Sequence, residues 1–283
     1  SLAGVYKNAI ERGFDKVYGM LHGIQGLLDE QYIDLSTQIH SELDIELLKR
    51  TPSAFLGSCR YKLPEIHEDK AIYEKIFEIL NRLDIDAFIY IGGNDSMDTV
   101  AKLSDYLAAR NSKIRVIGIP KTIDNDLPVT DHTPGFGSAA KYVAATVQEI
   151  IRDSSVYSIE SVTIVEIMGR HAGWLTASTC VLRANDEIAP HLIYLPENNF
   201  TAEKFLEDIR NQMAKHKAVI IAVSEGVKLK GEENKPRVVD NFGHEYLSGI
   251  GKTLEQLVKE NIGCKVRSIE LNVMQRCSSH ICS

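Results

Sequence analysis

Nowhere is this chain apolar for the roughly 20 residues that a membrane-crossing helix needs, and its start lacks the charged-then-apolar layout of a secretory leader. It has one tryptophan, and its five cysteines are an odd number. Cys59, Cys180, Cys264, Cys277 and Cys282 follow no regular spacing, which excludes a disulfide framework and fits reduced thiols in a cytoplasmic protein. His280 and the two late cysteines lack the tight CxxC spacing of a zinc site, so a metal reading there is set aside. There is no block of basic residues. The net charge of −7 is spread along 283 residues, which excludes a nucleic-acid surface of the usual kind. Low-complexity and repeated segments are also missing. "SLAGVYKNAIERG" reads as a helix already under way, with Leu2, Tyr6, Ala9 and Ile10 on one face. "QRCSSHICS" carries no stop signal, and both ends are expected to be cuts in a longer chain.

What is present is a run of short, apolar, β-branched stretches: "KVYGML", "AFIYIGG", "RVIGIP", "VTIVEIM", "HLIYLP", "AVIIAVSEG" and "VRSIELNV". Helical periodicity lies between most of them. Ile72, Ile76, Ile79, Leu80 and Leu83 share one face, as do Phe205, Ile209 and Met213, and again Ile250, Leu254, Leu257 and Val258. Alternating strands and helices predict an α/β protein with a mostly parallel sheet covered on both sides. A length of 283 residues allows two domains. A boundary is expected near "DHTPGFGSAA" (131–140), and "KLKGEENKPR" (228–237) reads as an exposed loop.

In such sheets ligands bind beyond the carboxyl ends of the strands. Three strand ends carry polar bursts. In "GGNDS" (92–96), glycines and a helix N-terminus can form a phosphate cradle, although a plain helix cap by Asn94, Asp95 or Ser96 explains the same residues. In "PKTIDND" (120–126), two carboxylates, a hydroxyl and a lysine fit phosphoryl transfer. On an extended segment Thr122, Asp124 and Asp126 would share one side, with Lys121 and Asn125 on the other. A solvated turn is the alternative. In "MGRHAGW" (168–174), Arg170 fits a bidentate phosphate contact or a structural ion pair, and His171 fits a structural role better than a catalytic one. Glu225 and Arg276 end two further strands. "SGIGKTLEQL" (248–257) is not a phosphate loop of the Walker type, because Tyr246 stands where that pattern needs glycine.

Taken in order, "VYGMLHGIQGLLD", "FLGSCRY", "GGNDS", "PKTIDND", "IMGRHAGW", "SEG", "FGHEYLSGIGKTL" and "MQR" resemble the phosphofructokinases over almost the whole chain. The resemblance implies two stacked three-layer α/β domains with mostly parallel sheets and an active site in the cleft between them. It implies a phosphoryl-donor-binding domain over 1–134 plus about 275–283, and a fructose-6-phosphate-binding domain over 135–274. It also implies reversible phosphoryl transfer to the 1-hydroxyl of fructose 6-phosphate with Mg²⁺. Asp124 matches the general base, Thr122 the hydroxyl that supports the transferring group, and Asp126 the second acid, near the metal. Met168, Gly169 and Arg170, with Ile123 alongside Thr122, match the sugar-phosphate segment, Glu225 the sugar-hydroxyl acceptor and Arg276 a 6-phosphate ligand. Arg60, Gly93, Asp95, Ser96 and Lys121 match donor-binding positions. Asn94 and Asp126 are the metal candidates, and Arg267 a further substrate-binding arginine lent between subunits.

The resemblance also bears on the donor. Relatives that use ATP usually have glycine where Asp95 and Lys121 stand, and often a base-stacking tyrosine where Ile24 stands. An acid at Asp95 crowds and repels the α-phosphate of a nucleotide, and Lys121 offers a cation to compact inorganic diphosphate. Diphosphate is therefore the expected donor, with ATP as the near alternative. Asn94, Ser161 and Val273 depart from the family pattern, and its first phosphate loop has no counterpart before Ser1. Those departures would suit a catalytically silent regulatory subunit, whereas the intact Thr122, Asp124, Asp126 and Arg170 favour an enzyme. A homodimer or homotetramer is expected.

Overall fold

The computed structural model describes residues 1–185, 189–230 and 249–277. His280, Cys282, Tyr246, most of "FGHEYLSG" and part of the 228–237 loop lie outside the described residues. The chain divides into two compact units, Ser1–Lys121 and Thr122–Ser283. Residues 122–134, and residues 275–277 at the other end, fall in the second unit rather than the first. Gln275 is bonded to Met168 within that unit.

The first unit runs α1 (Leu2–Glu11), β1 (Tyr18–Met20), α2 (Gly23–Leu28), β2 (Tyr32–Asp34), α3 (Glu42–Arg50), α4 (Lys70–Arg82), β3 (Ala87–Gly92), α5 (Asn94–Ala109) and β4 (Arg115–Pro120). β3 and β4 pair in parallel, from Ala87 opposite Arg115 to Gly92 opposite Pro120. The periodic face of α4 buries Ile76, Ile79 and Leu80 against Leu103 and Leu107 of α5 and Phe88 of β3. Asp69 caps α4 by accepting the Ile72 amide, as an N-terminal aspartate should. β1 and β2 form a separate antiparallel pair. On α1 the buried residues are Ala3 and Tyr6, while Ile10 is 43% exposed. The expected face is thus rotated, because Tyr6 reaches over to donate to the Ile39 carbonyl.

The second unit runs α6 (Phe136–Ser155), β5 (Ser161–Ile167), α7 (Trp174–Ala177), which continues as a 3₁₀ turn over Ser178–Asn185, β6 (Leu192–Tyr194), α8 (Ala202–Met213), β7 (Ala218–Ser224), α9 (Ile250–Asn261), β8 (Lys265–Glu270) and α10 (Met274–Cys277). Its four strands lie in the order β6-β7-β5-β8, all parallel. Strand alternation sorts the core. Val162, Ile164, Val219, Ile221 and Val223 face α8 and α9 through Phe205, Ile209, Leu254 and Val258. Val165, Ile167, Ile220 and Ala222 face α6 through Ala139, Val143, Val147 and Ile151. This is a three-layer sandwich, and its central strands are buried on both faces. Every strand therefore ends at one edge of the sheet, where Met168, Glu225 and Leu271 emerge.

Candidate active site

The 122–133 loop follows β4. It is bent rather than extended, because Asn125 is left-handed at φ +57°, and the expected two-sided alternation of Thr122, Asp124 and Asp126 does not hold. Asn125 is buried and knits the loop together. Its Oδ1 accepts the Thr133 amide at 2.9 Å, and its Nδ2 donates to the Asp131 carbonyl at 3.1 Å. The Thr133 hydroxyl donates to the Thr122 carbonyl at 2.6 Å. Thr122 Oγ1 accepts the Asp124 amide at 3.1 Å, which fixes the backbone under the acid.

Asp124 is half-buried, and its pKa is pushed up to about 6. Burial is the largest cause, and the Asp126 and Glu225 carboxylates add repulsion. Arg170 and the Thr122 hydroxyl pull the other way. Four residues singled out from different parts of the sequence thus act on one carboxyl group. Such a carboxyl is ionised at neutral pH, yet basic enough to take a proton.

After β5 the chain turns sharply through Met168–Gly173, and three distant side chains hold this turn. Gln275 Oε1 accepts the Met168 amide at 3.0 Å. Glu225 Oε1 accepts the amides of Gly169 at 3.1 Å and Arg170 at 3.0 Å. Glu197 Oε1 accepts the Gly173 amide at 2.8 Å. The backbone needs the help. Arg170 sits at φ +48°, where a side chain is strained. A methyl on Gly226 would lie 1.6 Å from the Arg170 carbonyl oxygen. Since the amides are used internally, what the turn offers a ligand is the exposed Arg170 side chain. A small recess at the strand ends is lined by Glu166, Met168, Glu225, Glu270 and Asn272. Its three carboxylates make it unsuited to an anion.

Glu166, Glu197 and Gln275 were missed from the sequence. Glu166 had a signal, as the lone acid in the apolar run "VTIVEIM". It is 4% exposed and accepts the amides of Gly249 and Gly251 at the start of α9 at 2.9 and 2.7 Å. Arg276 is exposed on α10, one residue beyond the buried Gln275. Arg267 is not part of the group around Asp124. It lies on β8 opposite Thr163, bonded to Thr163 Oγ1, Ser154 Oγ and, at 2.6 Å, Asp153.

The donor candidates lie in the first unit. Gly93 caps α5, and a methyl placed there would meet nothing within 4 Å, so the helix N-terminus is open to approach. Gly92 has a packing reason instead: a methyl there would lie 1.9 Å from Ser96 Oγ. Asp95 is exposed in the first helical turn. Lys121 is exposed, and its amide donates to the Gly92 carbonyl at 2.8 Å, which ties the two donor motifs together. Arg60 is exposed. The side chain of Asn94 lies outside what is described. Among the described residues no three His, Cys, Asp or Glu side chains form a cluster able to hold a metal ion.

These features can be set beside known proteins. The family described as phosphofructokinase matches residues 1–282. The pyrophosphate–fructose 6-phosphate 1-phosphotransferase of Xanthomonas campestris pv. campestris is 40% identical over 99% of this chain and 68% of its own length. A sulfofructose kinase of Alkalicoccus urumqiensis is 33% identical over 93% of this chain and 67% of its own. The crystal structure of the pyrophosphate-dependent phosphofructokinase from Nitrosospira multiformis superposes with a TM-score of 0.85 at 34% identity, covering all of this chain and 67% of that one. The chain spans 64–68% of the length of the first four curated relatives it matches. By its parallel α/β architecture, its ordered motifs and these matches, the chain belongs to the phosphofructokinase family.

Proposed function

We propose that this chain carries out reversible phosphoryl transfer from inorganic diphosphate to the 1-hydroxyl of fructose 6-phosphate, in glycolysis. The observation that carries this reading is the meeting of Thr122, Asp126, Arg170 and Glu225 on the half-buried Asp124. Asp124 takes the proton of the attacking hydroxyl. The oxygen then bonds to the terminal phosphorus, the bridging P–O bond breaks, and phosphate leaves. In reverse, protonated Asp124 returns the proton. Arg170 and the Thr122 hydroxyl stabilise charge on the group in flight. Met168 and Gly169 shape the sugar site with Ile123, Glu225 accepts from a sugar hydroxyl, and Arg276 holds the 6-phosphate. Arg267 would serve a neighbouring subunit of a homodimer or homotetramer.

The donor would lie on Gly93 and Ser96 at the start of α5, with Arg60 and Lys121 as cations and Asp95 excluding nucleotides. The metal of the proposal is Mg²⁺, which is commonly held by one or two protein groups together with substrate phosphates and water. Asp126 would hold it, and the family resemblance names Asn94 as the second candidate. When bound, such an ion neutralises phosphate charge. Two relatives at 40% identity bear names that specify pyrophosphate, which supports this donor. No helix among the described residues is long and apolar enough to cross a membrane. A cytoplasmic site of action is part of the same proposal, as the place of a glycolytic reaction.

The test is fructose 1,6-bisphosphate formation by the full-length protein with Mg²⁺ and fructose 6-phosphate, with diphosphate and ATP offered separately. Turnover with diphosphate alone is expected. Turnover with ATP would overturn the donor assignment, and silence with both would favour a regulatory subunit or another sugar acceptor.

A further inference from the structure

Gln275 has no exposed surface, although glutamine normally lies outside. It sits on α10, a single turn of helix, which cannot hold its own shape without help. Its Oε1 accepts the Met168 amide across 107 residues. Met168 opens the turn that carries Arg170, and the residue after Gln275 is Arg276. One hydrogen bond, from the Met168 backbone to the Gln275 side chain, therefore joins the two arginine-bearing turns. A second link runs parallel to it, because the Leu271 amide donates to the Glu166 carbonyl at 3.1 Å. That bond fixes the strand end but not the rotation of α10, which decides where Arg276 points.

We infer that Gln275 is a positioning residue that sets the spacing between Arg170 and Arg276. It thereby selects acceptors whose anionic group lies at a fixed distance from the reacting hydroxyl. This rests on the proposed reading, in which Arg170 serves the reacting end and Arg276 the anionic end. Removing the acceptor oxygen leaves the Met168 amide without its partner and frees α10 to rotate. The loss should fall on capture of the sugar phosphate, since the amide that Gln275 holds belongs to Met168, at the head of the turn proposed to shape the sugar site.

The experiment is steady-state kinetics on the full-length protein with both substrates varied. Gln275→Leu is expected to raise KM for fructose 6-phosphate about tenfold or more, with KM for diphosphate and kcat changed less than about threefold. Gln275→Glu, which keeps an acceptor oxygen, should bring KM for fructose 6-phosphate back to within about threefold of the parent. If the leucine variant does not fold, Gln275→Asn withdraws the same oxygen by one methylene and carries the same expectation. A fall in kcat with both KM values unchanged would mean a structural role only and overturn the inference. So would a glutamate variant no better than leucine. A parent enzyme inactive with these substrates would bring down the functional reading and this inference with it. An active parent and an unaltered leucine variant would remove Gln275 alone.

Discussion

Asp124 concentrates the chemistry at the scale of the residue. Burial and two neighbouring carboxylates raise its pKa to about 6, against an ordinary value near 3.9. Two consequences have opposite signs. In the forward direction the base must be ionised, so activity should climb as pH rises through about 6. For stability, the native state binds a proton more tightly than the unfolded chain. Stability is therefore fully present below about pH 4 and is lost as pH rises through about 6. Asp124→Asn should abolish activity by about a thousandfold or more. The same variant should be more stable than the parent at pH 8 by up to about 3 kcal/mol, and no more stable at pH 4. Urea unfolding at the two pH values checks this. A variant equally or less stable at pH 8 would show that Asp124 is not strained in the fold.

At the scale of the element, β5 is both a core strand and the support of the site. Alternate residues face α6 and α9, and Glu166 lies among the apolar residues on the α9 side. Both its oxygens are used, one by the Gly249 amide and one by the Gly251 amide. A Cβ on Gly251 would already lie 3.0 Å from Glu166 Oε2, so glycine and acid are fitted to each other. Burial holds the Glu166 pKa above the usual range, opposed by those two amides. In Glu166→Gln one acceptor becomes an NH₂ facing an amide N–H. A loss of about 1–3 kcal/mol in unfolding free energy is expected, read from the denaturant midpoint at unchanged slope. A neutral result would mean that α9 is held by its apolar face alone. The same element shows what sequence can and cannot reveal. β5 and β7 were legible because parallel strands buried on both faces read as continuous apolar runs. The helices α4, α8 and α9 were legible by their period. β2 was not, since three residues, Tyr32–Asp34, give no pattern to detect. The polar ends of β5 and β7 were legible as neighbours because parallel strands bring their carboxyl ends to one edge. Their supports were not. Gln275 and Glu197 meet their partners 107 and 24 residues away, and nothing local marks a side chain that bonds across such a gap. Asn125 hid differently, because its left-handed backbone is a choice that sequence permits but does not compel.

On the scale of the whole molecule, the two units divide the proposed labour. Arg60, Gly93, Asp95, Ser96 and Lys121 all lie in Ser1–Lys121, whereas Thr122, Asp124, Asp126, Arg170, Glu225 and Arg276 all lie in Thr122–Ser283. Each unit has its own core, built from Leu27, Ile76 and Leu103 in the first and from Val165, Ile221 and Leu254 in the second. A change confined to the donor residues should therefore leave the acceptor site intact. Asp95 and Lys121 are exposed, so replacing both by glycine removes charge without opening a core. Asp95→Gly with Lys121→Gly should raise KM for diphosphate about tenfold or more, from the loss of a charge-assisted phosphate contact, and should let measurable turnover with ATP appear. KM for fructose 6-phosphate should stay within about twofold, because its proposed ligands belong to the other unit. Kinetics with each substrate varied against saturating partner would decide the matter. If both KM values rose together, the units would be energetically coupled and donor choice could not be assigned to the first alone. If ATP were still refused, selection against nucleotides would rest on the shape of the helix N-terminus rather than on its charges.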